Sequence, residues 1–319
     1  MKKIALLTSG GDSPGMNAAI RAVVRKSIYH GVEPVGIRRG YTGLIADDMF
    51  PMNLGSVADI IQRGGTILRT ARSQEFMTVE GRQRAVANLR QREIDGLVVI
   101  GGDGSFRGAI DLHRMGVKVV GVPASIDNDI PGTDYAIGFD TAVNTVLDAI
   151  NKIRDTATSH ERIFLIEVMG HRTGFIAINA GLAGGAETIL IPELSYDLDQ
   201  IVEKLHRGQA RGKLHSIILV AEGAGDILEI GRQIKEKSGM DTRATILGHI
   251  QRGGSPTATD RINASRLAAL AVELLIEGET CKMTGFEAGR LTSRDLEYML
   301  TAKKTLDQSI LELSNILSI

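Results

Sequence analysis

The chain has 319 residues with 37 basic and 38 acidic side chains, a net charge of −1. That balance excludes the basic excess of a general nucleic-acid binder, and at about 150 residues per domain the length predicts two domains. The 43% hydrophobic and 24% charged composition is that of a folded protein; no apolar run approaches a membrane span, Met1-Lys2-Lys3 does not open a signal peptide, and the lone Cys281 forms no intrachain disulfide, so a cytoplasmic protein is expected.

A buried strand is predicted at residues 4–7. Thr8-Ser9-Gly10-Gly11-Asp12-Ser13-Pro14-Gly15 follows, then a helix whose Ile20, Val23, Val24 and Ile28 form one stripe. A helix at 80–91 precedes a strand at 97–100, and Gly101-Gly102-Asp103-Gly104-Ser105 leads into a helix at 105–115. The strand at 119–122 runs into Ser125-Ile126-Asp127-Asn128-Asp129-Ile130-Pro131 and a helix at 141–157. Strands at 163–168, 189–191 and 217–221 and a helix at 197–209 continue the alternation, and His249-Ile250-Gln251-Arg252-Gly253-Gly254-Ser255-Pro256 precedes a helix at 260–277. The strands are apolar throughout rather than alternating, as when helices cover both faces of a parallel sheet. The class is therefore α/β with mainly parallel sheets.

The two glycine-rich turns each join a strand to a helix, where unpaired N–H groups and the helix dipole suit a phosphate. Asp12 and Asp103 add a hard oxygen donor to each. Neither turn is the dinucleotide fingerprint or the Walker loop. Gly11-Asp12-Ser13-Pro14-Gly15 matches the nucleophile-elbow pattern, but that chemistry needs an N–H after the serine, and Pro14 has none. Asp127 and Asp129 are either a metal-and-proton pair beside a phosphate or an Asx turn that shapes the loop. Arg72, Arg162, Arg243 and Arg252 sit near strand or loop ends, where a guanidinium can grip phosphate.

Together these segments, with Met169-Gly170 and Ala221-Glu222-Gly223, resemble the bacterial 6-phosphofructokinase family along nearly the whole chain. The resemblance implies two doubly wound (Rossmann-like) domains, residues 1–138 with 251–301 for nucleotide and 139–250 with 302–319 for sugar phosphate. It implies a homotetramer, Mg²⁺, ATP as cosubstrate, and the glycolytic transfer of its γ-phosphoryl group to fructose 6-phosphate, with no nucleic acid or membrane partner. By position, Asp127 matches the general base. Asp103 matches the Mg²⁺ residue, supported by Asp129. Gly11, Arg72 and Ser125, the last in place of the usual Thr, match groups around the transferring phosphoryl. Tyr41, Gly102, Asp103, Gly104 and Ser105 match the nucleotide lining, to which many relatives add an arginine at the place of Met77. Arg162, Met169, Gly170, Glu222, Arg243, His249 and Arg252 match the sugar-phosphate site, Arg162 reaching it from a neighbouring subunit.

The usual Met-Gly-Arg reads Met169-Gly170-His171-Arg172 here. A second, effector site between subunits corresponds to Arg21, Arg25, Arg154, Gly185, Glu187, Arg211 and Lys213, with Glu187 placed to hold a metal. Leu54 and Leu214 replace cations of many relatives at that site. Pyrophosphate users carry Asp and Lys where this chain has Gly104 and Ala124, so ATP is the expected donor. Lipid and dinucleotide kinases share the Gly-Gly-Asp-Gly turn, but not the 125–131 and 249–256 segments.

Overall fold

The computed structural model describes residues 1–318, in two units: Met1–Thr141 with Arg252–Lys304, and Ala142–Gln251 with the chain from Thr305 onward. Ile319, at the end of the expected second domain, lies outside the described residues. The first unit opens with β1 (Lys3–Thr8), α1 (Met16–Tyr29), β2 (Glu33–Ile37), α2 (Gly40–Ile45), β3 (Met49–Pro51), α3 (Val79–Gln91), β4 (Gly96–Gly101), α4 (Asp103–Arg114) and β5 (Val119–Pro123). Helix α5 (Phe139–His160) leads to β6 (Ile163–Val168), α6 (Phe175–Gly184), β7 (Thr188–Leu190), α7 (Leu198–Ala210), β8 (Ser216–Ala221), α8 (Ile227–Ser238) and β9 (Thr242–Ile246). Then come α9 (Ala258–Ile276), β10 (Lys282–Glu287), β11 (Arg290–Asp295), α10 (Tyr298–Thr301) and α11 (Gln308–Leu317). Among the described residues no helix is long and apolar enough to cross a membrane.

In the first unit the strand order is β11-β10-β5-β4-β1-β2-β3. The pairs are parallel except at the two edges, where β3 and β11 run antiparallel to their neighbours. Successive residues of the central strands feed opposite cores. Ile4, Leu6, Val98, Ile100, Val120 and Val122 pack with the apolar stripes of α1 and α9. Ala5, Leu7, Leu97, Val99 and Val119 pack with α3 and α4. Both side-chain sets of each strand are buried, which is why these strands read as unbroken apolar runs.

The second unit has a four-stranded parallel sheet, β7-β8-β6-β9. Leu165, Ile218 and Val220 meet Ile201, Leu205, Ile227, Ile230 and Ile234 of α7 and α8. Helix starts differ by one or two residues from the sequence reading: α7 begins just after the first predicted residue, which is its cap, and α9 begins two residues before the predicted 260. Asp197 accepts from Asp199 N–H ahead of α7, and Thr257 accepts from Asp260 N–H ahead of α9, as short polar side chains do at N-caps.

Candidate active site

In the first unit β1 connects toward β2 on one side, while β4 connects toward β5 on the other. The strand order thus reverses between the adjacent parallel strands β1 and β4, the crevice where open α/β sheets take ligands. Both glycine-rich turns leave the sheet there, Thr8 pairing with Ile100 and Ser9 N–H donating to the Ile100 carbonyl at 3.0 Å. A side chain at Gly11 would collide with the Arg252 guanidinium, which also reaches the Asp12 carbonyl at 3.4 Å. Only glycine allows that approach of backbone and cation. Thr70 Oγ1 donates to the Gly10 carbonyl at 2.7 Å and Thr8 Oγ1 to the Arg69 carbonyl at 2.9 Å. These bonds anchor the segment that ends in the exposed Arg72 to the first turn.

The second turn presents the N-terminus of α4. The Asp103 carboxylate pairs with Arg107 one helical turn on, at 3.0 Å, both half exposed. A Cβ at Gly104 would meet nothing within 4 Å, so the small residue there reflects open space rather than packing. Ser105 is buried, and its carbonyl accepts from the Tyr41 hydroxyl at 2.5 Å. Tyr41 stacks on Phe76, ring centroids 3.9 Å apart, and burial pushes its phenol pKa up, so it stays a donor. It therefore braces the first turn of α4 from beneath. Gly102 lies against the β5 end, where a Cβ would come within 4.0 Å of Ser125 Cβ. Met77 is exposed.

The acidic loop follows β5, tied to the second turn by Ala124 N–H on the Gly101 carbonyl at 2.9 Å. Ile126, Asn128 and Ile130 point inward, and Ser125, Asp127 and Asp129 take the alternate, partly exposed positions. Ser125 Oγ accepts from Asp127 N–H and donates to Asp129 Oδ1, each at 3.3 Å. One Asp127 carboxylate oxygen is shielded from solvent. Asn128, with φ 53°, is the buried pin of the loop. Its Nδ2 donates to the Asp134 carbonyl at 3.1 Å and its Oδ1 accepts from Ala136 N–H at 2.8 Å. Lys304 Nζ donates to the same carbonyl at 2.9 Å. Burial pushes the Lys304 pKa down to about 8, against the pull of Asp134 and Asp129. Asn128 thus shapes the loop, and Asp127 and Asp129 are left on its open side.

In the second unit β6 ends at Val168, and the next residues form a tight turn with Gly170 at φ 142° and His171 at φ 53°. Strand alternation therefore does not extend to His171 and Arg172, both exposed. Glu222 Oε1 accepts from His171 N–H at 2.7 Å and so sets the turn. Met169 N–H donates to Gln251 Oε1 at 3.2 Å, and Gln251 Nε2 donates to the Gly248 carbonyl at 3.0 Å. Gln251 is completely buried, joining the Met169 turn to the loop that carries the exposed His249. Arg162 and Arg243 share one carboxylate, Asp241, at 2.8 and 3.0 Å. Within one chain these two arginines thus stand together on Asp241.

Of the effector positions, Arg154 donates to the Gly184 and Gly185 carbonyls. Gly185, Glu187 and Lys213 line a cavity of about 90 Å³ with Ser314, Leu317 and Ser318, and Arg211 lines a neighbouring cleft. Glu187 is buried, with Oε1 on Lys213 at 2.6 Å and Oε2 on Ile217 N–H at 2.5 Å. Both Glu187 oxygens are thus engaged within the chain. Arg21 and Arg25 lie one turn apart on α1 of the first unit. Leu54 and Leu214 are about half exposed.

A family profile described as Phosphofructokinase matches residues 3–275. The chain is 60% identical to the ATP-dependent 6-phosphofructokinase of Bacillus subtilis and 59% identical to that of Halothermothrix orenii, each alignment covering 100% of both chains. Among solved structures it resembles phosphofructokinase from Saccharomyces cerevisiae, with a TM-score of 0.90 and 36% identity over 100% of this chain and 48% of that one. It shares the fold of a pyrophosphate-dependent phosphofructokinase from Marinobacter aquaeolei, with a TM-score of 0.85 at 22% identity over 97% of this chain and 86% of that one.

Proposed function

The chain belongs to the phosphofructokinase family, and we infer from this premise that it transfers the γ-phosphoryl group of ATP to the 1-hydroxyl of fructose 6-phosphate, giving fructose 1,6-bisphosphate and ADP. The observation that carries the reading is the grouping, at one sheet crevice, of two glycine turns with the row Ser125, Asp127 and Asp129. Backbone N–H groups of the turns, with Arg252 beside Gly11, receive phosphate oxygens, and Arg72 meets the charge that develops on the transferring group. Asp127 accepts the proton of the 1-hydroxyl as the new P–O bond forms, since an alcohol gives up its proton late. Ser125 fixes the Asp127 backbone and the Asp129 carboxylate. In the second unit Arg162 and Arg243 clamp the 6-phosphate, while Met169, Gly170, Glu222 and His249 shape the sugar site. Purified protein should release ADP from Mg-ATP only when fructose 6-phosphate is added; ADP release independent of the sugar would contradict the reading.

Among the described residues no three His, Cys, Asp or Glu side chains are placed to hold a metal ion. A phosphate-bound Mg²⁺ needs only one or two carboxylates and otherwise keeps waters. Asp103, half exposed at the phosphate-binding end of α4, fits that demand and would hold the ion. When bound, Mg²⁺ supplies positive charge to the nucleotide phosphates.

The open space at Gly104 also supports ATP as donor. Asp there would set a carboxylate against the nucleotide phosphates, at about 1.4 kcal/mol or a factor of about ten in binding. Gly104→Asp is therefore expected to raise KM for ATP about tenfold. Gly104→Ala, with room for its methyl, should change it little. Steady-state kinetics with Mg-ATP and with Mg-pyrophosphate checks this; comparable wild-type rates with both donors would refute it.

The resemblance further supports a cytoplasmic homotetramer with sugar and effector sites shared between subunits. Because Arg162 and Arg243 sit together on Asp241, a neighbouring subunit would contribute both. At the effector positions Arg21, Arg25, Arg154, Arg211 and Lys213 keep an anion site, but Leu54 and Leu214 remove Coulomb attraction. Inhibition by phosphoenolpyruvate is thus expected to be weak in fructose 6-phosphate saturation curves. Strong inhibition already at micromolar concentrations would show that the two leucines do not matter.

A further inference from the structure

Asp260 lies in the first turn of α9 and is buried. Its carboxylate accepts three hydrogen bonds from residues at the start of α5. Oδ1 accepts from Gly138 N–H at 2.8 Å, and Oδ2 from Thr141 N–H at 2.8 Å and from the Thr141 hydroxyl at 2.5 Å. A short neutral side chain caps a helix start as well, and burying an acid is costly, so capping alone does not account for Asp260. What the acid holds is one peptide group. The Ile137 carbonyl, on the far side of the same planar unit as Gly138 N–H, accepts from Ser13 Oγ of the first glycine turn at 3.0 Å and from Ser125 N–H of the acidic loop at 3.1 Å. Ile137 N–H donates to the Pro123 carbonyl at the end of β5, at 3.0 Å. A Cβ at Gly138 would come within 2.6 Å of Ser13 Cβ, so the peptide lies directly against the turn. All of these residues belong to the first unit.

We propose that Asp260 is a positioning residue for phosphoryl transfer: by gripping Gly138 N–H it aims the Ile137 carbonyl that ties the first glycine turn to the acidic loop. Because the peptide is planar, fixing its N–H fixes the direction of its carbonyl, and an anion on the N–H strengthens the bonds that the carbonyl accepts. The proposal rests on the reading that the turn and the loop flank the transferring group. Each segment keeps its own ligand contacts when the tie is loosened, and what changes is their mutual placement. It therefore acts on the transfer step more than on binding, and a misplacement of about 1 Å costs about 10²-fold in rate.

Asp260→Asn keeps the shape of the side chain but has one acceptor oxygen, and its Nδ2 faces the N–H of Gly138 or of Thr141. Ser13→Ala breaks the same tie from the other end by removing the hydroxyl on the Ile137 carbonyl. The full-length variants are assayed well below their thermal midpoints. Asp260→Asn should lower kcat about tenfold, with KM for ATP and for fructose 6-phosphate within about twofold. Ser13→Ala should also lower kcat, and the double variant should lose less than the product of the two single effects. A wild-type kcat in Asp260→Asn, with only the thermal midpoint lowered, would mark a purely structural role and overturn the proposal. So would fully multiplicative losses in the double variant. Should Asp260→Asn fail to fold, Ser13→Ala decides, and a wild-type kcat there overturns the proposal. Sugar-dependent ADP release by the wild type, measured in parallel, separates the two readings. If it is present while the losses multiply, only the Asp260 proposal falls; if it is absent, the reading of the site falls and this proposal with it.

Discussion

Asp127→Asn is expected to lower kcat by about 10²–10⁴-fold, the range for loss of a positioned general base, with ATP binding nearly unchanged. The side chains differ by one atom type, and the loop is held by groups the change does not touch. Asn128 pins it at the Asp134 carbonyl and at Ala136 N–H, and Ser125 Oγ holds Asp127 through its backbone N–H. The variant should therefore fold as wild type, and the lost rate reports the missing proton acceptor. Single-turnover measurement at saturating substrates separates this from product release; a near-normal chemical step would remove Asp127 from the role.

Arg162→Ala or Arg243→Ala is expected to weaken fructose 6-phosphate binding by about 10–100-fold, as each charge-assisted phosphate contact contributes about 1.5–3 kcal/mol. KM for ATP should move little. Because both guanidiniums share Asp241, they form one coupled unit, and the double variant should lose less than the product of the two single effects. A double-mutant cycle on fructose 6-phosphate KM checks this. Full additivity would mean that the arginines act independently and that Asp241 does not organise them.

What the sequence revealed depended on how each residue earns its place. Strands β1, β4, β5, β6 and β8 are buried on both faces and read as unbroken apolar runs. Edge strands do not: β9 is Thr-Arg-Ala-Thr-Ile with mostly exposed side chains, and β11 is Arg-Leu-Thr-Ser-Arg-Asp, so neither shows a buried pattern. Strand β2 hides behind Pro34 and Gly36. Helix α6, Phe-Ile-Ala-Ile-Asn-Ala-Gly-Leu-Ala-Gly, is too uniformly apolar to show a helical stripe.

At the site, glycine turns and paired acids announce phosphate chemistry by local spacing, but their individual roles came through family resemblance. Gln251 and Lys304 escaped the sequence reading because their partners are tertiary. Gln251 lay within a noted segment, yet its meaning is the bond to Met169, 82 positions away. Lys304 meets Asp134 across 170 positions. Glu187 entered through the resemblance alone, and the fold adds Lys213 and Ile217 N–H on its oxygens.

The central claim is that a phosphoryl group passes from ATP to one hydroxyl of one sugar phosphate. The direct measurement follows that group: the protein is incubated with Mg-ATP labelled in its γ-phosphate and with fructose 6-phosphate, and the labelled product is examined by phosphorus and carbon NMR. The predicted result is label on the oxygen of carbon 1 only, with one ADP formed per label transferred. Label on another hydroxyl, ADP formed with inorganic phosphate in place of labelled sugar, or equally fast transfer from pyrophosphate would contradict it.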